Sequence, residues 1–386
     1  MLTMAVGHSD DVDLEDAVDE VIAQCRATLG DRQPQAGILI ASFDTFDPSI
    51  VARVREAFDG VDIMGATSAA EISSASGYRE DSTALALFVS DTVDITVGLG
   101  RGLSVAVDRA CREAAEQALG ATERDPRICI VFAGMNRIDP QHVLDAMADA
   151  LPAGVAVVGG GSGRSDGDPS GPTYEFCNDV IDSDAVAILL FSGPVAFSTA
   201  VGTGWQKIGP KGTVTSSGPG VIREVDGRPA HEFVARYLDT LGPASFGNPL
   251  AFTEKGMTEP YLRVAMGSDP ETGAVSIMGS VPEGSEIQLT VTDPRQILTS
   301  ADEAVGRALY AFPGDAKPEA ALVFSCAVRR FLLGSQTGGE TQLTRTRLGA
   351  GIPIAGLYCL GELAPVGDSE NTRFLNETFV TLLLGT

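Results

Sequence analysis

A chain of 386 residues exceeds one small domain and, at roughly 150 residues per domain, predicts two or three compact units. With 44% hydrophobic and 20% charged residues it has the apolar surface to build a core, which excludes a disordered solvating chain. Against 52 Asp and Glu there are 27 Lys and Arg, a net charge of -25 that repels phosphate backbones and anionic headgroups, so neither nucleic acid nor a membrane is an expected partner.

Residues 11–29 place Leu14, Val18, Val21, Ile22, Cys25 and Leu29 on one helical stripe with Gly30 as the stop, so the leading segment 1–33 reads as an amphipathic helix. Residues 38–42 follow as a short buried strand, then Asp47 caps and Pro48 opens a helix running to about residue 58. Residues 63–71 read as strand plus glycine turn, and 83–89 and 93–99 as two strands spaced to form a hairpin. After an Ala-rich helix over 105–119 the order recurs. Strand 128–132 is followed by Asp139 and Pro140, and Asp139 lies seven residues after Phe132 just as Asp47 lies seven after Ile40. Strands 155–159 and 185–191 then mirror 62–65 and 84–89. A looser third copy comprises strand 321–326, a helix around 341–347, strand 353–356 and strand 377–384. Between the second and third copies lie a Gly- and Pro-rich passage over 202–212, a strand ending at Val225, a turn at Asp226 and Gly227, and a helix over 231–241. The expectation is an α/β (α+β) protein with mixed sheets, built from repeated strand-helix-strand units in αββα layers, in two parts, 34–227 and 228–386.

Six cysteines without a Cys-x-x-Cys pair read as reduced buried thiols of a cytoplasmic protein. Three histidines without ligand spacing and the absence of any Gly-Lys dipeptide predict no metal and no nucleotide or other cofactor. No apolar run approaches the ~20 residues of a membrane helix, and the N-terminus is acidic, unlike a targeting segment. What remains is a set of polar residues at strand ends, where α/β proteins build ligand sites. They are Ser68 and Glu71 in the first copy, Ser162, Arg164 and Asp166 in the second, and Cys326, Arg329 and Glu362 in the third.

These residues sit in motifs that resemble a known family. Phe324-Ser-Cys326-Ala-Val-Arg329, then Pro353-Ile-Ala-Gly356-Leu-Tyr-Cys-Leu-Gly361-Glu362-Leu-Ala-Pro365, then Asn376-Glu-Thr378 are similar to the C-terminal FIST signature. Ile63-Met-Gly-Ala-Thr-Ser68-Ala-Ala-Glu71, Lys207-Ile-Gly209, Val214-Thr215 and Glu224-Val-Asp-Gly227-Arg-Pro-Ala230 are similar to the N-terminal FIST part, with Ala70 where that family commonly has glycine. The resemblance covers about residues 36–384. It implies a sensory domain that binds a small ligand, an amino acid or other small carboxylate, and signals to a downstream protein, since no kinase, cyclase or chemotaxis module is read in this chain.

For such a ligand the candidate residues are Cys326, Arg329, Glu362, Asn376, Thr378, Ser68 and Glu71. Arg329 offers a planar fork for a carboxylate and Glu362 an acceptor for an ammonium group. The competing reading pairs Arg329 and Glu362 structurally with each other or with backbone. Asn376 and Thr378 would share one face of a strand. Cys326 reads as a buried small hydrophobe or as a thiolate activated by Arg329, and the second reading would make the chain a thiol-dependent enzyme using Cys326, Arg329 and Glu362. A pure interaction scaffold is the third alternative.

Overall fold

The computed structural model describes residues 1–135, 138–166, 171–236, 238, 246–314, 316–366 and 372–386. Three copies of one unit account for most of them. In the first, strand Leu2–Ser9, helix Leu14–Leu29, strand Ala36–Ser42, helix Ser49–Ala57, strand Asp62–Ser68, a hairpin of Ala70–Ser73 with Gly77–Arg79, and strand Thr83–Ser90 succeed one another. The second runs Asp94–Arg101, helix Val107–Gly120, Pro126–Ala133, helix Pro140–Ala150, Ala156–Gly161, hairpin Glu175–Cys177 with Val180–Asp182, and Ala185–Ser192. The third runs Ala196–Gly202, helix Pro294–Ala311, Ala320–Cys326, helices Ala327–Leu333 and Gly338–Leu348, Ile354–Cys359, hairpin Glu362–Pro365 with Thr372–Leu375, and Phe379–Gly385. The strands between Gln206 and Val291, inserted after the first strand of the third copy, form a separate antiparallel sheet.

The cap read at Asp139 forms as expected, whereas helix Ser49–Ala57 has Pro48 at its N-cap position and the Asp47 bond just ahead of it. Asp47 accepts the Ser49 amide at 2.8 Å, Asp139 accepts that of Gln141 at 3.1 Å, and Pro140 fills the first turn of its helix, where a missing N–H costs nothing. The strand over Leu2–Ser9 went unread ahead of the amphipathic helix, yet it pairs along its whole length with Thr83–Ser90. The hairpin expected between 83–89 and 93–99 does not form. Thr83–Ser90 lies between Leu2–Ser9 and Ala36–Ser42, while Asp94–Arg101 pairs with Ala185–Ser192 in the next sheet. Both strands are buried apolar runs, and each is claimed by a longer register elsewhere. The helix expected over 231–241 occupies Ala230–Val234, and residues 237 and 239–241 lie outside the described residues.

Each unit makes a mixed six-stranded sheet in which a central parallel pair is flanked by antiparallel strands, and the hairpins are exchanged cyclically. The hairpin over 70–79 extends the third sheet beside Ile354–Cys359, that over 175–182 extends the first beside Asp62–Ser68, and that over 362–375 extends the second beside Ala156–Gly161. In each junction the apolar residue after a glutamate faces a glycine: Ile72 opposite Gly356, Phe176 opposite Gly65, Leu363 opposite Gly159. A Cβ on those glycines would lie 1.9 to 2.1 Å from the carbonyl oxygens of Leu39, Val131 and Val323, so no side chain fits there.

The sheets turn one face to a shared core containing Ile38, Ile130, Phe132, Phe324 and Leu382, and the other to their own helices. Three α/β layers thus surround one centre, where αββα layering would place two sheets. At that centre the amides of Ala69, Gly163 and Leu360 donate to the carbonyls of Tyr358, Thr67 and Gly161, each at 2.9 Å, closing a ring of backbone bonds around a pseudo-threefold axis.

Candidate functional site

The repeat brings three glutamates to equivalent positions at the start of the exchanged hairpins. Glu71, Glu175 and Glu362 are all fully buried. Glu71 accepts from the Ser68 hydroxyl and from the amide (3.2 Å) and hydroxyl of Ser82. Glu362 accepts from the amide (3.0 Å) and hydroxyl (2.7 Å) of Thr378 and from the Cys359 thiol at 3.5 Å. Glu175 accepts from Thr173 at 3.2 Å, with no hydrogen bond at Oε2. Burial outweighs these donors and pushes the carboxyls up, to about 7 for Glu71 and Glu175 and about 8 for Glu362. Ser68 and Glu71 therefore meet, as do Glu362 and Thr378. These are two separate copies of one arrangement, and the third copy, centred on Glu175, escaped the sequence reading. A search for Glu followed by an apolar residue after a glycine-bearing strand would have found it.

The protonation of these carboxyls has a measurable result. An unfolded glutamate titrates near 4.5, so between pH 5 and 8 the folded state holds more protons than the unfolded state and stability falls as pH rises, by about 1.4 kcal/mol per pH unit for each carboxyl in its window. His8, bonded to Ser73 and Ser82 at 2.8 Å, is pushed down to about 4 by burial and by Arg79. Its loss of stability therefore lies below pH 6.5, opposite in sign and outside the upper window. The urea midpoint is expected to fall from pH 6.5 to 8.5, and Glu362→Gln to flatten part of that slope. An unchanged slope in the variant would show that Glu362 does not titrate there.

Cys326 is 4% exposed at the end of its strand, directly opposite Cys359 in the parallel register. Burial first, then the Glu362 and Glu377 carboxyls, hold its thiol well above the usual range. Arg329 does not offset this, because its guanidinium is committed elsewhere. The fork expected to receive a ligand carboxylate already holds that of Glu340, with Nη2 at 2.7 Å and Nε at 2.8 Å, both residues fully buried. Its remaining N–H groups donate to the carbonyls of Thr203 (2.6 Å), Ile297 (2.9 Å) and Glu377 (3.4 Å) and to the Ser300 hydroxyl (3.3 Å). The structural partner is thus Glu340, which also accepts from Ser325 and Tyr358, and not Glu362. Asn376 and Thr378 do not share a strand face. They precede strand Phe379–Gly385, and Glu377 between them has a positive φ of 57°, so Asn376 turns to accept the Val264 amide at 3.0 Å. Arg164 and Asp166 form an ion pair at 2.6 Å near the surface. Among the described residues no group of three or more His, Cys, Asp or Glu side chains is placed to hold a metal, and no helix is long and apolar enough to cross a membrane.

None of the seven candidate residues lines the main cavity of the described residues. A cavity of about 1090 Å³ lies instead where the end of helix Pro140–Ala150 and residues 151–157 face Arg263, Ser280, Val281, Pro282 and Arg373. None of these was singled out from the sequence, because Arg263 and Arg373 stand in short polar strands without a recognisable motif.

Comparison with known proteins matches residues 35–228 to the FIST N domain and residues 230–365 to the FIST C domain. An uncharacterized protein of Mycobacterium tuberculosis is 31% identical over 228 residues, which are 55% of this chain and 57% of the relative. One of Mycobacterium bovis is 29% identical over 227 residues, 55% and 56% of the two chains. The matched region spans little more than half the length of these curated relatives. Among solved structures, the crystal structure of cyanuric acid hydrolase from A. caulinodans aligns over 100% of this chain and 99% of its own, at 10% identity and a TM-score of 0.35.

Proposed function

The chain belongs to the FIST family, and from that premise we propose that it is a cytoplasmic sensory protein that binds a small carboxylate or amino acid and signals through a separate downstream protein. FIST domains are regarded as sensory, signal-transducing domains. The observation that carries the ligand-binding part is the 1090 Å³ cavity, whose walls come from both FIST parts: Leu144 to Val157 from the N part, Arg263, Val281 and Arg373 from the sequence after residue 230. A ligand there touches both at once, the arrangement needed for occupancy to alter how they pack.

The test is a thermal-shift screen of amino acids and carboxylates, since a ligand that binds only the folded state raises its melting temperature by mass action. Concentration-dependent stabilisation by at least one carboxylate is expected, and none across the panel would reject the reading. Iodoacetamide at neutral pH separates the thiol-enzyme alternative: a thiol held protonated in the core labels slowly, and rapid labelling of Cys326 in the native protein would revive it.

A further inference from the structure

One wall of the seam cavity carries a buried cation that, among the described residues, has no ion-pair partner. Arg263 is 2% exposed. Its Nε donates to the Ser280 carbonyl at 3.2 Å and its Nη1 to the carbonyls of Leu262 and Phe374, each at 2.9 Å. Among the described residues its Nη2 makes no hydrogen bond and no carboxylate lies within ion-pair distance. The contrast with the equally buried Arg329 and its Glu340 is direct.

The acids nearby are already engaged. Glu254 is gripped by Arg373 at 2.7 and 3.3 Å, and Asp139 accepts from Ser280 at 2.6 Å while capping its helix. The Tyr261 ring lies 4.5 Å from the Arg263 guanidinium and 5.2 Å from that of Arg373, so its π face offsets part of both charges without neutralising either. Gly279, with φ of 92°, leaves room for the guanidinium where a Cβ would come within 3.0 Å of Nε. A buried guanidinium with a vacant donor, on the wall of a cavity also lined by Phe197, Val281 and Pro282, fits one kind of guest.

We propose that this cavity is the ligand site and that it takes an organic anion, a carboxylate on an apolar body, with the carboxylate on Nη2 of Arg263. The inference rests on the sensory reading above and narrows it: Glu254 and Asp139 are engaged, the lining carboxylate Asp145 is exposed to solvent and takes a bond from Gln141, and the buried charge of the site is the cation, so the ligand is an organic acid more than a zwitterion.

The test is calorimetric titration of the full chain with benzoate, benzamide and benzylamine, which share a ring and differ in charge. Benzoate is expected to bind about ten-fold or more tightly than benzamide, the difference a charge-assisted bond supplies, and benzylamine not to bind. Arg263→Gln should abolish the preference for benzoate. Ala148→Trp, at an exposed lining position, should weaken benzoate and benzamide alike while leaving the fold intact, and it decides the matter if Arg263→Gln fails to fold. Equal binding of benzoate and benzamide, no binding of benzoate, or indifference to Ala148→Trp would overturn the proposal. Carboxylates that stabilise both the wild type and Ala148→Trp equally would remove this cavity while leaving the sensory reading in place, whereas an empty thermal-shift screen would remove both.

Discussion

Arg329→Ala is expected to lower stability by about 3 to 5 kcal/mol, the cost of leaving one member of a buried ion pair uncompensated. Glu340 would lose its cationic partner among the described residues, and the carbonyls of Thr203, Ile297 and Glu377 would lose a donor in the buried interior. These carbonyls belong to the end of strand Ala196–Gly202, to helix Pro294–Ala311 and to the turn before the last strand, so one side chain ties three elements of the third unit together. Lysine should rescue little, since a single ammonium cannot reach groups arranged around a planar fork. Urea unfolding followed by circular dichroism measures the effect. A loss below about 1 kcal/mol would show that the guanidinium is dispensable to the fold and free for a ligand.

Cutting the chain between residues 228 and 229, at the junction of the two family parts, is expected to yield two fragments that do not fold separately. The first would keep the hairpin over 70–79 without the strand Ile354–Cys359 that receives it, lack the hairpin over 362–375 on its second sheet, and leave Ala196–Gly202 without Phe379–Gly385. The second would have a sheet with both outer partners missing. Each fragment alone should melt without cooperativity and bind a hydrophobic dye, and co-expression should restore one cooperative transition. A first fragment that melts cooperatively on its own would show that the exchanged hairpins contribute little.

The order of elements was legible because strands such as Ile38 to Ile40 and Ile128 to Phe132 are buried on both faces and so read as unbroken apolar runs, and because Asp47-Pro48 and Asp139-Pro140 punctuate them in step. Which strand pairs with which was not. Thr83–Ser90 and Asp94–Arg101 are adjacent in sequence and equally apolar, and only registers with residues far along the chain assign them to different sheets. At the site, motif resemblance led to Ser68, Glu71, Glu362 and Thr378, which do meet in pairs. It said nothing of Glu340, whose demand for a cation decides what Arg329 does, because Glu340 lies just ahead of the helix read around 341–347 and belongs to none of the motifs. Arg263 was invisible for a related reason: a cation matters here through the acid that is missing beside it, and a sequence does not display an absent neighbour.

The cyclic exchange also sets the order in which this protein can be made. During synthesis the first unit emerges with strand Asp62–Ser68 at an open edge until the hairpin over 175–182 arrives, and its own hairpin has no sheet until Ile354–Cys359 has left the ribosome, some 280 residues later. Open edges of this kind recruit other chains, and contacts so distant in sequence form slowly. The nascent first unit should therefore depend on being shielded, and slowing elongation after residue 90 would lengthen its exposure without giving it anything to fold against.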